Sequence, residues 1–244
     1  MRYAILADIH ANATAFEAVL ADMERRGGVD EIWCMGDIVG YGPDPGRCIN
    51  LLRGYKHVAV AGNHDLGAIE KIGLARFNPD GAQALRWTME QLKPEHRIFL
   101  ERLPDSREIG AFTLVHGSPR QPFSEYIASL GSARQVFSYF KTNYCLVGHA
   151  HLPLIFTEES GEYSFNPPVE NLGRVLGAAR LIINPGSVGQ PRDGDPRASY
   201  MLFDSDAGIL RLHRVAYDIN AVQARYLAAS GLPLRLSARL ERGA

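Results

Sequence analysis

The stretch Tyr3-Ala4-Ile5-Leu6-Ala7-Asp8-Ile9-His10 decides the fold. Its first residues are continuously small or apolar, which reads as a buried strand, and it then turns polar at Asp8 and His10. Ala13–Arg25 follows with helical spacing and stops at Gly27-Gly28. Glu31–Met35 is a second strand, ending in the Gly/Pro-rich loop Gly40-Tyr41-Gly42-Pro43-Asp44-Pro45-Gly46. A short helix to about Arg53 leads to a third strand, His57–Ala61. This β-α-β-α-β order predicts parallel strands joined by right-handed crossovers.

Farther along, 65–102 reads as mostly helical, with Pro79 and Pro94 marking helix starts. Phe112–His116, Tyr144–Val147 and Leu181–Asn184 are short strands. Leu154–Thr157 and Tyr163–Phe165 flank a turn, and Tyr200–Phe203 with Ile209–Val215 make a hairpin around Asp204–Gly208. Asp218 is placed to cap a last helix, Ile219–Ala228. No repeat or linker divides the chain, so one α/β domain over residues 1–244 is expected, with two mixed sheets packed together and helices outside.

A net charge of -1 argues against a broad nucleic-acid or membrane footprint. Cys34, Cys48 and Cys145 form no Cys-x-x-Cys pair, and Cys34 and Cys145 sit in apolar runs as small buried thiols. Reduced thiols and the absence of a membrane-length apolar run or a leader-like start give a cytoplasmic expectation.

The histidines carry the chemistry. Asp8-Ile9-His10, Gly62-Asn63-His64-Asp65, Val115-His116-Gly117 and Gly148-His149-Ala150-His151 each follow a strand, and so does Gly36-Asp37. Side chains at the carboxyl ends of parallel strands converge on one crevice. If the backbone stays extended, residues two apart such as Asp8/His10 and His149/His151 project to one side, with Cα atoms roughly 6–7 Å apart. Such pairs can grip one ion or span two ions about 3.5–4 Å apart. Mixed carboxylate, imidazole and amide donors suit Mn, Fe, Zn or Co rather than a closed Cys-rich zinc site. Core packing has no use for such a set, although Asp-x-His or Gly-Asp alone is an ordinary turn.

In this order, Asp8-x-His10, Gly36-Asp37, Gly62-Asn63-His64-Asp65, His116 and Gly148-His149-x-His151 resemble the calcineurin-like metallophosphoesterases. Asn184-Pro185-Gly186-Ser187-Val188-Gly189-Gln190 is similar to the small bacterial and archaeal members. The resemblance implies a two-sheet sandwich flanked by helices and two divalent or trivalent ions per chain: Mn, Fe, Zn, Co or Ni, with Mn favoured for activity in vitro. It implies that Asp8, His10 and His151 hold one ion, that Asn63, His116 and His149 hold the other, and that Asp37 bridges them. His64 is then the catalytic histidine, with Asp65 either orienting it or sitting as a helix N-terminal acid.

Ile38-Val39 follows Gly36-Asp37 where protein phosphatases of this superfamily carry Asp-Arg, and Asp65 stands where they usually have Glu. Both departures weaken a protein Ser/Thr phosphatase reading, and the resemblance to small members implies a nucleotide-type phosphodiester or phosphoanhydride as substrate, diadenosine tetraphosphate among them. The alternatives are a generic or cyclic-nucleotide phosphodiesterase, a protein phosphatase, and a catalytically silent interaction scaffold. Asn12, Tyr41, Arg120, Arg192 and Arg197 are the candidate substrate contacts, arginine being suited to bidentate phosphate binding.

Overall fold

The computed structural model describes residues 1–244. The opening run forms β1 (Arg2–Leu6), and the Asn12 side chain caps α1 (Ala13–Arg25) by accepting from the Ala15 amide at 3.1 Å. β2 (Glu31–Cys34), α2 (Pro45–Arg53) and β3 (His57–Ala59) follow, and β1–β2 and β2–β3 pair in parallel. The next segment is three helices, α3 (Asn63–Ala68), α4 (Pro79–Gln91) and α5 (Pro94–Glu101). The last two begin on their prolines, where a missing N–H has no helical partner to lose.

The second half supplies β4 (Ser106–Ile109), β5 (Phe112–Val115), α6 (Leu130–Val136), β6 (Tyr144–Leu146), β7 (Pro153–Glu159), β8 (Glu162–Phe165) and β9 (Gly173–Val175). β10 (Arg180–Pro185), β11 (Ala198–Asp204), β12 (Ile209–Val215), α7 (Ile219–Ala228) and α8 (Leu234–Ala238) complete it. One six-stranded sheet runs β3-β2-β1-β11-β12-β9 and the other β4-β5-β6-β10-β7-β8. Both are mixed. β1 lies between parallel β2 and antiparallel β11, while β5, β6 and β10 are mutually parallel.

Side-chain alternation along β1 explains the layering. Ala4 and Leu6 pack on Phe16, Val19 and Ile49 of the helices, while Ile5 and Ala7 face the second sheet. There they meet a buried layer of Trp33, Phe112, Leu146, Ile183 and Met201. The outer face of the second sheet, through Cys145, Phe156 and Ile182, packs on Ala133 and Val136 of α6. Each fully buried large apolar side chain in these layers contributes about 1.5–3 kcal/mol. All three cysteines are buried and unpaired, and burial raises their thiol pKa values. No helix is long and apolar enough to cross a membrane. The carboxyl ends of β1, β2, β3, β5 and β6 open on one crevice at the junction of the two sheets, and the chain leaving β10 crosses it.

Candidate metal centre

The turns beyond those strands are unusual backbone. Asp8, His10, Asp37, His149 and His151 have φ of 55°, 48°, 53°, 64° and 59°, in the left-handed region that non-glycine residues seldom visit. The paired residues at 8/10 and 149/151 therefore do not converge by strand alternation, as an extended chain would have them do. Each is swung inward by its own left-handed residue. Such conformations cost on the order of 1–3 kcal/mol each and persist where surrounding contacts over-determine them. Those contacts are present: Asp8 N donates to Gly36 O (3.1 Å), His10 N to Asp37 O (2.9 Å) and Gly189 N to Asp8 O (2.9 Å). Ser187 Oγ also donates to Asp8 O at 2.7 Å. Gly62 is required by space, since a Cβ there would lie 2.0 Å from Asp37 Oδ1.

Two groups of donor atoms result. In the first, His10 Nε2 lies 3.1 Å from His151 Nε2 and 3.8 Å from Asp8 Oδ1, and His151 Nε2 lies 3.4 Å from Asp8 Oδ1. In the second, His116 Nε2 is 3.0 Å from Asn63 Oδ1, 3.1 Å from His149 Nδ1 and 3.3 Å from Asp37 Oδ2. Asp37 Oδ2 is also 3.6 Å from His10 Nε2, which puts this carboxylate between the groups, while Oδ1 accepts from the His64 amide at 2.8 Å. Two donors on one ion, each at about 2.0–2.2 Å, stand roughly 3–3.6 Å apart. The observed separations fall in that range except His10–Asp8, which is 3.8 Å.

The tautomers make the same point. His116 Nδ1 faces Met35 O at 2.7 Å, His151 Nδ1 faces Gln190 O at 2.6 Å, and His10 Nδ1 faces Val39 O at 3.3 Å. A carbonyl accepts only, so each Nδ1 carries the proton and, in the neutral ring, each Nε2 presents a bare lone pair to the cluster. Lone pairs of His10 and His151 then meet head-on, while Asp37 favours a second proton on His116 at Nε2. Such a set is repulsive on its own and satisfied by cations, so these residues fit metal ions. Burial pushes Asp8 up to about 7, against the pull of His116, and lowers His10 and His151. Burial also works to lower His116, yet Asp37 outweighs it and raises the ring to about 9. Asp37 stays well below the usual carboxylate range: burial alone would raise it, and His116 and His64 reverse that.

A calcineurin-like phosphoesterase superfamily domain model matches residues 1–208. The chain belongs to that superfamily. It is 45% identical to a metallophosphoesterase of Sphaerobacter thermophilus whose crystal structure superposes with a TM-score of 0.90, covering 100% of this chain and 99% of that one. It is 36% identical to an uncharacterised protein of Methanocaldococcus jannaschii over 97% of this chain and 96% of the relative. It is also 28% identical to a symmetrical bis(5'-nucleosyl)-tetraphosphatase of Haemophilus ducreyi over 54% of this chain, which spans about half (51%) of that relative's length. The protein is thus a metal-dependent phosphohydrolase of the calcineurin-like type.

Around this phosphoesterase centre the other sequence-derived candidates separate. His64 is buried beside the cluster, its Nδ1 has no partner, and its ring meets Tyr41, Phe77 and His10 at 4.3, 5.0 and 4.9 Å. Burial lowers the ring to about 4, with Asp37 pulling the other way. Asp65 does not orient it. Both Asp65 oxygens are spent on backbone amides, Oδ1 accepting from Ile38 and Val39 and Oδ2 from Gly62, so the residue braces the Asp37 turn against the start of α3. Tyr41 and Arg192 stand at the crevice, the Arg192 guanidinium 6.0 Å from the Tyr41 ring centre and its buried Nε without a partner.

Three expected substrate contacts lie elsewhere. Asn12 is consumed by capping α1 and donating to Gly189 O. Arg120 is chelated by Glu125 and held by Gln135. Arg197 is clamped between Asp195 and Glu170, away from the centre. Nearby carboxylates that match a guanidinium in reach and charge took both arginines. Asn184 and Gln190, by contrast, secure the centre: Asn184 Nδ2 donates to Gly148 O at 2.7 Å, and Gln190 supplies the carbonyl under His151.

Proposed function

We propose that the protein hydrolyses a phosphodiester or phosphoanhydride of a small nucleotide-type substrate at two metal ions. The observation carrying this reading is the clustering of Asp8, His10 and His151 on one side of Asp37 and of His116 and His149 on the other, with His64 also within reach of His10 and Asp37. Asp8, His10 and His151 would hold one ion and Asn63, His116 and His149 the other; the donors admit Mn, Fe, Zn, Co or Ni, and Mn is the first choice for assay. Such ions supply positive charge for the phosphoryl oxygens and acidify water, so that hydroxide is available near neutral pH.

The chain's own groups do the rest. His64 lines the cleft beside the centre, its unpartnered Nδ1 turned towards Gly40, and its ring is the chain's candidate to hydrogen-bond the phosphoryl group or its leaving oxygen. Arg192 offers a guanidinium with no carboxylate partner for a non-bridging or more distant phosphate oxygen. The similarity to tetraphosphatases and the Ile38-Val39 departure support a nucleotide over a phosphopeptide. With Mn-loaded protein, diadenosine tetraphosphate or a small phosphodiester is expected to exceed a phosphoserine peptide in kcat/KM. The reverse order would overturn the substrate reading and leave the metal chemistry standing.

A further inference from the structure

A cleft of about 370 Å³ opens from the candidate centre, with Asn63, His64 and His149 at one end. That volume falls within the ~300–1,000 Å³ of small-ligand sites. The rest of its wall sets four aromatic rings, Tyr41, Phe77, Phe123 and Tyr126, among aliphatic and polar side chains. The apolar cores account for Tyr41 and Phe77 but not for the other two rings. Phe123 and Tyr126 belong to none of the apolar cores, and Tyr126 is 53% exposed while lying flat on His149 at a ring separation of 3.9 Å and 26°. Arg76 lines the same cleft, and its guanidinium has neither an ion pair nor a hydrogen bond.

We propose that this wall is a nucleobase subsite. Phe123 and Tyr126 stack on the base of the substrate, and Arg76 meets its polar edge or a sugar-phosphate oxygen, so that these residues set specificity. The inference rests on the phosphoesterase reading and adds which side of the centre the nucleoside occupies. An aliphatic chain would cover the rings as well, but it would leave the Arg76 guanidinium facing hydrocarbon without a partner. A heteroaromatic ring offers flat π-faces to the aromatics and lone pairs to the guanidinium at once.

Two esters with the same leaving group isolate the effect: thymidine 5'-(p-nitrophenyl phosphate) and methyl p-nitrophenyl phosphate, assayed on Mn-loaded protein. The nucleoside ester is expected to be favoured in kcat/KM by roughly 5- to 150-fold, the equivalent of about 1–3 kcal/mol for one stacked base. Phe123→Ala should shrink that ratio towards one, and Phe123→Trp should preserve it, with metal content measured on each variant to confirm an intact centre. A wild-type ratio near one, or a ratio that survives loss of both rings in Phe123→Ala/Tyr126→Ala, overturns the subsite. If neither ester is cleaved, the substrate reading above has failed separately, and calorimetry decides the subsite. AMP binding more tightly than ribose 5-phosphate supports it, and equal binding overturns it.

Discussion

His64 and His116 are both buried histidines beside Asp37, yet their ring environments separate their roles. His116 has both nitrogens committed, one to Met35 O and one to the donor cluster, whereas His64 Nδ1 has no partner. His64→Ala is therefore expected to lower kcat by about 10²–10⁴-fold with metal content unchanged. His116→Ala should instead deplete metal, read by elemental analysis of the purified variants. Equal metal loss in the two would assign His64 to the ligands. Gly62→Ala tests the crowding at Asp37, since its methyl group would need the space of the carboxylate. Metal loss without any change to a ligand side chain is the expected outcome. At this scale the polar residues after each strand were legible because nothing in core packing asks for them there. Asp65 was half legible: an acid at a helix start is a recognisable signal, but its grip on Ile38 and Val39, 27 and 26 residues away, needs the fold. Phe123 and Tyr126 gave no signal, because a loop has no period in which an aromatic residue stands out.

Among the elements, the strands with apolar runs and the proline-started helices were readable, and the weakly patterned ones were not. β4 is Ser-Arg-Glu-Ile, largely exposed, and shows no buried face. β9 is three residues long at a sheet edge, and α8 spans only Leu234–Ala238. The β11–β12 hairpin was legible from its turn, and it carries a pH dependence through His213 of β12, which is buried against Tyr200 and paired with Asn171. Burial, aided by Arg26 and opposed by Asp22, lowers this ring from 6.5 to about 4. Below about 6.5 the unfolded chain binds a proton that the native hairpin refuses. The stabilisation present above that pH is accordingly lost as pH falls towards 4. His213→Gln should flatten the stability profile over this window relative to wild type in urea titrations at fixed metal. Parallel profiles would show that the histidine titrates alike in both states.

For the whole molecule, donors from both sheets meet in one crevice braced by the crossing after β10, so metal and fold are linked. Chelation is expected to lower Tm, and Mn should restore it in a concentration-dependent way. At about 100 times the dissociation constant the gain is ~2.7 kcal/mol. For a chain of this size that corresponds to roughly 5–10 °C, and a Tm indifferent to chelator would mean that the centre contributes nothing to the native state. Strand order has a separate consequence, for synthesis. β1 pairs on one side with β11, Arg2 opposite Asp204 and Ile5 opposite Met201, and the Asp8 turn is hooked by Ser187 and Gly189. At about 5–20 residues per second a ribosome takes roughly 10–40 s to deliver the later partner. Throughout that interval the nascent chain presents β1 as an open apolar edge and Asp8 in a turn that nothing yet holds. The N-terminal half thus waits on the C-terminal strands during translation, and the centre closes only as those strands emerge.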